Sequence, residues 1–212
     1  MNLDLYVDTS RKGISVALSS PEKYEEIVDP AARGETLSAS VDKLLETVGA
    51  TLDDIKRVMV TVGPGSFSGL RTGVAFCQGL CFSGKRKLFG VTTLQALECF
   101  GFQDGKAQPD AAVVIRARNG YWYLRISGKE SFIETADVVS QLKANNIRNI
   151  VADQAALDDE ALKATFEELQ ATVTLDTGKP LSSWSPLFDT IEPSLIQEAN
   201  YIQPSYFEKL KV

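Results

Sequence analysis

The chain opens on a short apolar run, residues 3–7. A polar stretch, Asp8-Thr-Ser-Arg-Lys-Gly13, separates it from a second run at 14–18. Two such runs joined by a glycine-ended turn predict a β-hairpin, and residues 24–28 predict a third strand. Leu37, Val41, Leu44, Leu45 and Val48 then fall at helical spacing, predicting a helix over 36–48 that Gly49 stops. The β-branched stretch 58–62 predicts another strand. Gly63-Pro64-Gly65 breaks it, and a helix is predicted over 68–82, starting at Ser66 or Ser68, both good N-cap types.

Residues 88–91 predict a strand, and Thr92-Thr-Leu-Gln95 resembles a capping box opening a helix through residue 99. The polar, glycine-containing stretch 101–109 separates a first domain, 1–103, from a second, 104–212, with the C-terminal segment free to return to the first. In the second domain, strands at 111–115 and 121–126 flank Asn119-Gly120, a strong hairpin signal. Helices are predicted at 135–144 and 156–169, strands at 149–152 and 172–175. A loop is predicted over 176–193, where Pro180, Pro186 and Pro193 fall, and a last helix over 194–199. Each half repeats a plan of hairpin followed by alternating helix and strand, which predicts an α/β class.

The helix over 68–82 has almost no polar face. Leu70, Val74, Ala75, Phe76, Cys77, Leu80, Cys81 and Phe82 are interrupted only by Arg71, Thr72, Gln78 and Ser83, apart from glycines. A helix apolar all round is buried on every side. One side faces the sheet; the other is covered by the chain itself or by another protein, and the spacing leaves both readings open. Gly73 and Gly79 each cost roughly 1 kcal/mol of helix stability against Ala, which marks close packing.

Composition narrows the chemistry. The 212 residues carry 22 Lys and Arg against 28 Asp and Glu, a net charge of −6, so direct nucleic-acid binding is disfavoured. The one evident basic cluster, Lys85-Arg86-Lys87, reads as a solvated turn. There is no histidine, which removes the commonest zinc ligand and general base and any Ser-His-Asp triad. Cys77, Cys81 and Cys99 are too few and wrongly spaced for zinc, so no metal site is predicted. An odd cysteine count without a disulfide framework suggests a reducing, cytoplasmic location. No signal peptide and no membrane-length apolar run is evident.

The strand–glycine loop–helix arrangement over 58–82 aims backbone N–H groups and a helix N-terminus at one point, which suits a phosphate. A tight connection with no ligand accounts for the spacing equally well. The loop lacks the Gly-Lys-Ser/Thr ending of a Walker loop, and Gly63, Gly65 and Gly69 do not fit G-x-G-x-x-G.

Leu5-Tyr-Val-Asp8-Thr9-Ser10, Gly63-Pro-Gly-Ser-Phe-Ser-Gly-Leu-Arg71, Gly73-Val-Ala75, Gly79-Leu80 and Gly90-Val-Thr-Thr-Leu-Gln-Ala-Leu97 together resemble the TsaB (YeaZ) family of tRNA threonylcarbamoyladenosine biosynthesis. The match is colinear over about the first 100 residues. It continues more weakly through Arg116-Ala-Arg-Asn-Gly-Tyr-Trp-Tyr123 and Ile202-Gln-Pro-Ser-Tyr206. The resemblance implies the actin-like, Hsp70-like, sugar-kinase (ASKHA) fold, with two related lobes each holding a mixed sheet flanked by helices. It implies a non-catalytic scaffold that pairs with TsaD through its first two helices, with a TsaE ATPase joining at the junction and tRNA contacted only indirectly. A homodimer would form through the same helices when the chain is alone, and ATP or ADP would be held only at the junction with TsaD.

On this reading no residue is catalytic. Helix–helix contact is expected from Leu37, Val41, Leu44, Leu45, Leu70, Val74, Phe76, Cys77, Leu80 and Cys81. Asp8, Thr9, Ser10, Gly63, Gly65 and Ser66 are expected to form a vestigial phosphate loop near any nucleotide. Two stretches depart from the family, the second also at Asn119 and Tyr121. Arg33-Gly34-Glu35 stands where relatives commonly read His-Ser-Glu, and Arg116 replaces the Asp of a second-lobe motif. The alternative reading, an independent ATP-dependent kinase or a peptidase of the same fold, requires a second phosphate loop or a general base. No second phosphate loop is evident in the sequence, and without histidine the base for Ser66 or Ser68 would have to be a lysine, with those nearby falling in predicted loops.

Overall fold

The computed structural model describes residues 1–102, 110–178 and 180–202. They form two compact units. The first joins Met1–Thr93 to Pro180–Asn200; the second takes residues 94–102 and 110–178 with 201 and 202. The boundary expected at 103/104 and most of the motif at 202–206 lie outside the described residues. The helix α3 (Thr93–Phe102) belongs to the second unit from Leu94 on. The cause is packing: Leu94, Leu97 and Phe100 bury themselves against Val113, Tyr123 and Val151.

The first unit is a five-stranded sheet of β1 (Leu3–Asp8), β2 (Ile14–Ser19), β3 (Tyr24–Asp29), β4 (Ile55–Gly63) and β5 (Lys87–Thr92), in the order β3-β2-β1-β4-β5. β1, β2 and β3 pair antiparallel, whereas β4 lies parallel to β1 and β5 parallel to β4. The crossovers are α1 (Leu37–Val48) and α2 (Phe67–Cys81). Alternation along the strands sends Leu5, Val7, Val16, Val58 and Val60 into a core shared with both helices. Gly49, left-handed at φ +68°, ends α1 and returns its N–H to the Glu46 and Leu45 carbonyls.

The opposite face buries Tyr6 and Phe89 against Trp184 and Phe188, with ring centroids of Phe188 5.6 Å from Tyr6 and 4.9 Å from Phe89. This cover corrects the sequence reading twice. The stretch expected to be loop contains a 3-10 helix, Leu181–Asp189, with Pro186 inside it. Proline removes a donor and disfavours a longer α-helix there. The helix expected over 194–199 does not form. The Ser194 and Asn200 N–H groups donate instead to the carbonyls of Leu88 in β5 and Val62 in β4, and Gln78 of α2 donates to the carbonyls of Leu195 and Gln197.

Burial also fixes the alkaline limit of this unit. It pushes the Tyr6 hydroxyl up to about 12, against a weaker lowering by its hydrogen bond with Ser19. It pushes the Cys81 thiol up to about 11 and Cys77 well above its ordinary value. All three are neutral acids in the fold, so their contribution is complete below the unfolded values. It is lost as pH rises through the folded ones. Thermal melts should therefore be flat near neutrality and fall between about pH 9 and 12, with Tyr6 alone accounting for about 3 kcal/mol. A melting temperature unchanged to pH 11 would contradict the burial of these groups.

The second unit repeats the topology with β6 (Ala111–Arg118), β7 (Tyr121–Ile126), β8 (Lys129–Glu134), β9 (Asn149–Ala152) and β10 (Thr172–Leu175), ordered β10-β9-β6-β7-β8. Asn119-Gly120 forms the expected turn, with Gly120 at φ +73°. β8 was not expected, because Lys129-Glu-Ser-Phe-Ile-Glu134 shows no alternation. It forms through β7: Phe132 pairs with Tyr123 and stacks on Tyr121 at 5.0 Å. α4 spans Thr135–Ala144. The helix expected over 156–169 is two, α5 (Gln154–Asp158) and α6 (Glu160–Glu168), each capped by an aspartate, Asp153 and Asp159.

Candidate functional site at the strand–loop–helix junction

The ends of β1 and β4 meet at the start of α2. Asp8 organises the β1 end. Its Oδ1 accepts the Ser10 N–H at 2.9 Å, the Ser10 hydroxyl at 2.7 Å and the Thr61 hydroxyl at 2.9 Å. Such convergence makes Asp8 a turn-forming residue. Thr9 donates its N–H to Thr61 Oγ1 at 3.3 Å. Gly63, at φ +113°, begins the turn out of β4, where any other residue would be strained. Gly65 lies so close to the β1 end that a Cβ there would run into the Ser10 carbonyl. That approach lets the Ser66 N–H donate to the Ser10 carbonyl at 2.7 Å. Of the two capping candidates, Ser66 is the N-cap of α2, its hydroxyl accepting the Gly69 N–H. Asp8, Thr9, Ser10, Gly63, Gly65 and Ser66 are thus brought together.

The structure sorts the apolar face of α2. Leu37, Val41, Leu44, Leu45, Leu70, Val74, Cys77 and Cys81 are all buried within the first unit. They are core residues rather than the contact surface expected of them, because both helices turn these positions onto their own sheet. Phe76 and Leu80 are half-buried and pack at the margin of that core. The outward positions are Ser68, Thr72, Ala75, Gly79 and Phe82, all exposed. Their 4-3-4-3 spacing makes one seam of small residues along α2 that ends on Phe82, which is 80% exposed. Phe67, also exposed, lies at the other end under the Arg71 guanidinium. Sequence reasoning missed this seam by following the large apolar residues. The small-residue spacing was its signal.

Beside the junction lies a cleft of about 710 Å³ between the β1–β2 turn, the loop before α1 and the first turn of α2. Arg11, Lys12 and Arg33 line it together with Thr9, Ser66 and Ser68. The sequence marks Arg33 only as a departure from the family pattern and does not group the three cations, since residues 11, 12 and 33 meet only in the fold. The cluster that was singled out is structural: Arg86 donates to the carbonyls of Leu52 and Leu80, and Lys85 pairs with Asp53.

Two mixed sheets of one topology, each flanked by helices, place the chain among proteins of the actin-like ATPase and sugar-kinase fold. The family model described as "TsaD: tRNA N6-adenosine threonylcarbamoyltransferase" matches residues 31–174, and the chain belongs to that family. It resembles the tRNA threonylcarbamoyladenosine biosynthesis protein TsaB of Escherichia coli (strain K12), with 31% identity over 121 residues, 56% of this chain and 52% of that protein. The chain thus spans about half the length of the curated relatives it matches. A solved structure of YeaZ from Pseudomonas aeruginosa superposes with a TM-score of 0.66 at 23% identity, covering 97% of this chain and all of that one. The ROK hexokinase of Thermus thermophilus shares the fold at a TM-score of 0.53 and 11% identity, covering 89% of this chain and 99% of the hexokinase. No helix among the described residues is long and apolar enough to cross a membrane.

Proposed function

We propose that this chain is a non-catalytic subunit in the biosynthesis of threonylcarbamoyladenosine on tRNA, pairing with a TsaD-family transferase through the outer seam of α2. The observation that carries the reading is that seam. A helix already buried on one side presents Ser68, Thr72, Ala75 and Gly79 in register on the other, with large exposed rings at both ends. Small side chains let a second helix approach closely, and the rings supply apolar area that rarely stays bare. Family membership and the names of the relatives supply the biosynthetic context. The absence of histidine from the sequence favours placing the chemistry in the partner. The net charge of −6 favours tRNA contact through the partner as well. Alone, the chain pairs with a second copy through the same seam, and a TsaE-type ATPase joins the heterodimer.

Light scattering after size exclusion tests this, on the chain alone and mixed with the TsaD-family protein of the same organism. The expected result is a homodimer that converts to a heterodimer. Gly79→Asp and Phe82→Asp should each weaken pairing by at least about tenfold in a folded chain. A monomer that ignores the transferase, or ATP turnover by the chain alone, would overturn the reading in favour of an independent enzyme.

A further inference from the structure

We propose that a second cleft in the first unit binds a neutral polyhydroxylated small molecule, such as a monosaccharide. The cleft has a volume of about 770 Å³ and lies at the amino-terminal ends of β1 and β4, the end of the sheet opposite the junction. Its walls come from four separate segments: the start of β1, the β2–β3 turn, the start of β4 and the 3-10 helix Leu181–Asp189. Small-molecule pockets are ordinarily lined mostly by apolar side chains. Here Pro21 is the one lining residue without a polar side chain. Such a lining offers little to an apolar ligand and suits one that presents hydroxyls on every side.

The 3-10 helix supplies the first pair of groups. In such a helix residues three apart eclipse one another, and Leu181, Trp184 and Leu187 use this spacing to bury one edge in the core. Ser182 and Ser185 share the next edge and both line the cleft, so two hydroxyls one turn apart border the same space. Phe188 continues that edge and is covered by the Arg57 guanidinium, 4.1 Å from the ring centroid. Asp4 fixes Arg57 a second time, accepting from Nε at 2.7 Å and from Nη2 at 2.6 Å. Nη1 remains a donor outside that pair, and a carboxylate has lone pairs for more than two hydrogen bonds. Donor and acceptor thus stand side by side, an arrangement that adjacent hydroxyls of a sugar can bridge. The charges are matched within the protein: Asp4 compensates Arg57, and the Lys56 ammonium donates to the Asp53 carbonyl at 2.6 Å. This favours a neutral ligand over an anion. Tyr24 adds to the lining an aromatic side chain with a polar tip.

Proton–nitrogen correlation spectra of the full chain, titrated separately with D-ribose, D-glucose and citrate, test the site. At least one of the two sugars should give saturable shifts confined to residues around the cleft, with a dissociation constant on the order of 1 mM. Ser182→Ala combined with Ser185→Ala should weaken that binding by at least about fivefold while the thermal melt stays unchanged. Ser185→Ala alone, at an exposed position, should weaken it by about threefold and keeps the test open if the double variant fails to fold. Shifts that saturate with neither sugar would overturn the site. Saturation by citrate and not by the sugars would overturn the neutral-ligand assignment. Sugar binding that neither serine variant weakens would overturn the placement of the ligand against the 3-10 helix. Because the chain is tested without a partner, the outcome is independent of whether it pairs with a transferase.

Discussion

Val74→Asp should unfold the first unit, whereas Ala75→Asp, one residue along the same helix, should leave it folded. Val74 is 6% exposed and packs in the core beneath α2. A carboxylate there loses its hydration among the apolar side chains of that core. The cost is several kcal/mol, about 4 or more once the lost apolar packing is included. Whole-domain stabilities run only from about 5 to 15 kcal/mol, so far-UV ellipticity and soluble yield should both fall. Ala75 lies on the exposed seam. Its replacement costs only the lower helix propensity of Asp, about 0.6 kcal/mol. The same substitution should abolish pairing if the seam is the contact surface. A folded Val74→Asp protein would mean that α2 does not pack on the sheet as described.

Local chemistry was legible in the sequence where one segment decides it. The break at Gly63-Pro-Gly65, the cap at Ser66, the Asp8 turn and the Asn119-Gly120 hairpin depend on residues close in sequence, and they form as the pattern implies. What depended on tertiary placement was not legible. The apolarity of α2 predicted burial on two sides but could not say which positions meet the sheet; Leu70, Val74, Cys77 and Cys81 proved to be core, whereas Phe67 and Phe82 are exposed. β8 exists because β7 offers it a paired edge, a long-range fact that its own polar sequence does not encode. The segment 194–199 has helix-compatible residues, yet its end N–H groups bond to β4 and β5 carbonyls, and that tertiary bonding overrides propensity. Arg11, Lys12 and Arg33 could not be grouped from sequence, since their meeting depends on how the hairpin turn meets the loop before α1.

In the second unit, Arg125→Met should be the most damaging change. Arg125 lies on β7 and is 9% exposed. Its Nε donates to Glu98 Oε2 at 2.9 Å. Its Nη1 donates to Glu130 Oε1 at 3.1 Å and to the Gly128 carbonyl at 3.0 Å. Glu98 is itself 4% exposed, and its Oε1 has no hydrogen-bond partner among the described residues. One guanidinium therefore compensates a carboxylate on α3 and another on β8. Methionine preserves much of the volume but strands Glu98 without a counter-charge. Breaking a buried pair in this way costs about 3–5 kcal/mol, although replacing both partners can be nearly neutral. Urea unfolding should show the loss as a lower midpoint at an unchanged slope. Adding Glu98→Gln to Arg125→Met should recover part of it, because the amide keeps the shape and removes the buried charge. If Arg125→Met cost less than about 1 kcal/mol, or if the second substitution restored nothing, the link between α3 and the β7–β8 hairpin would rest on apolar packing alone.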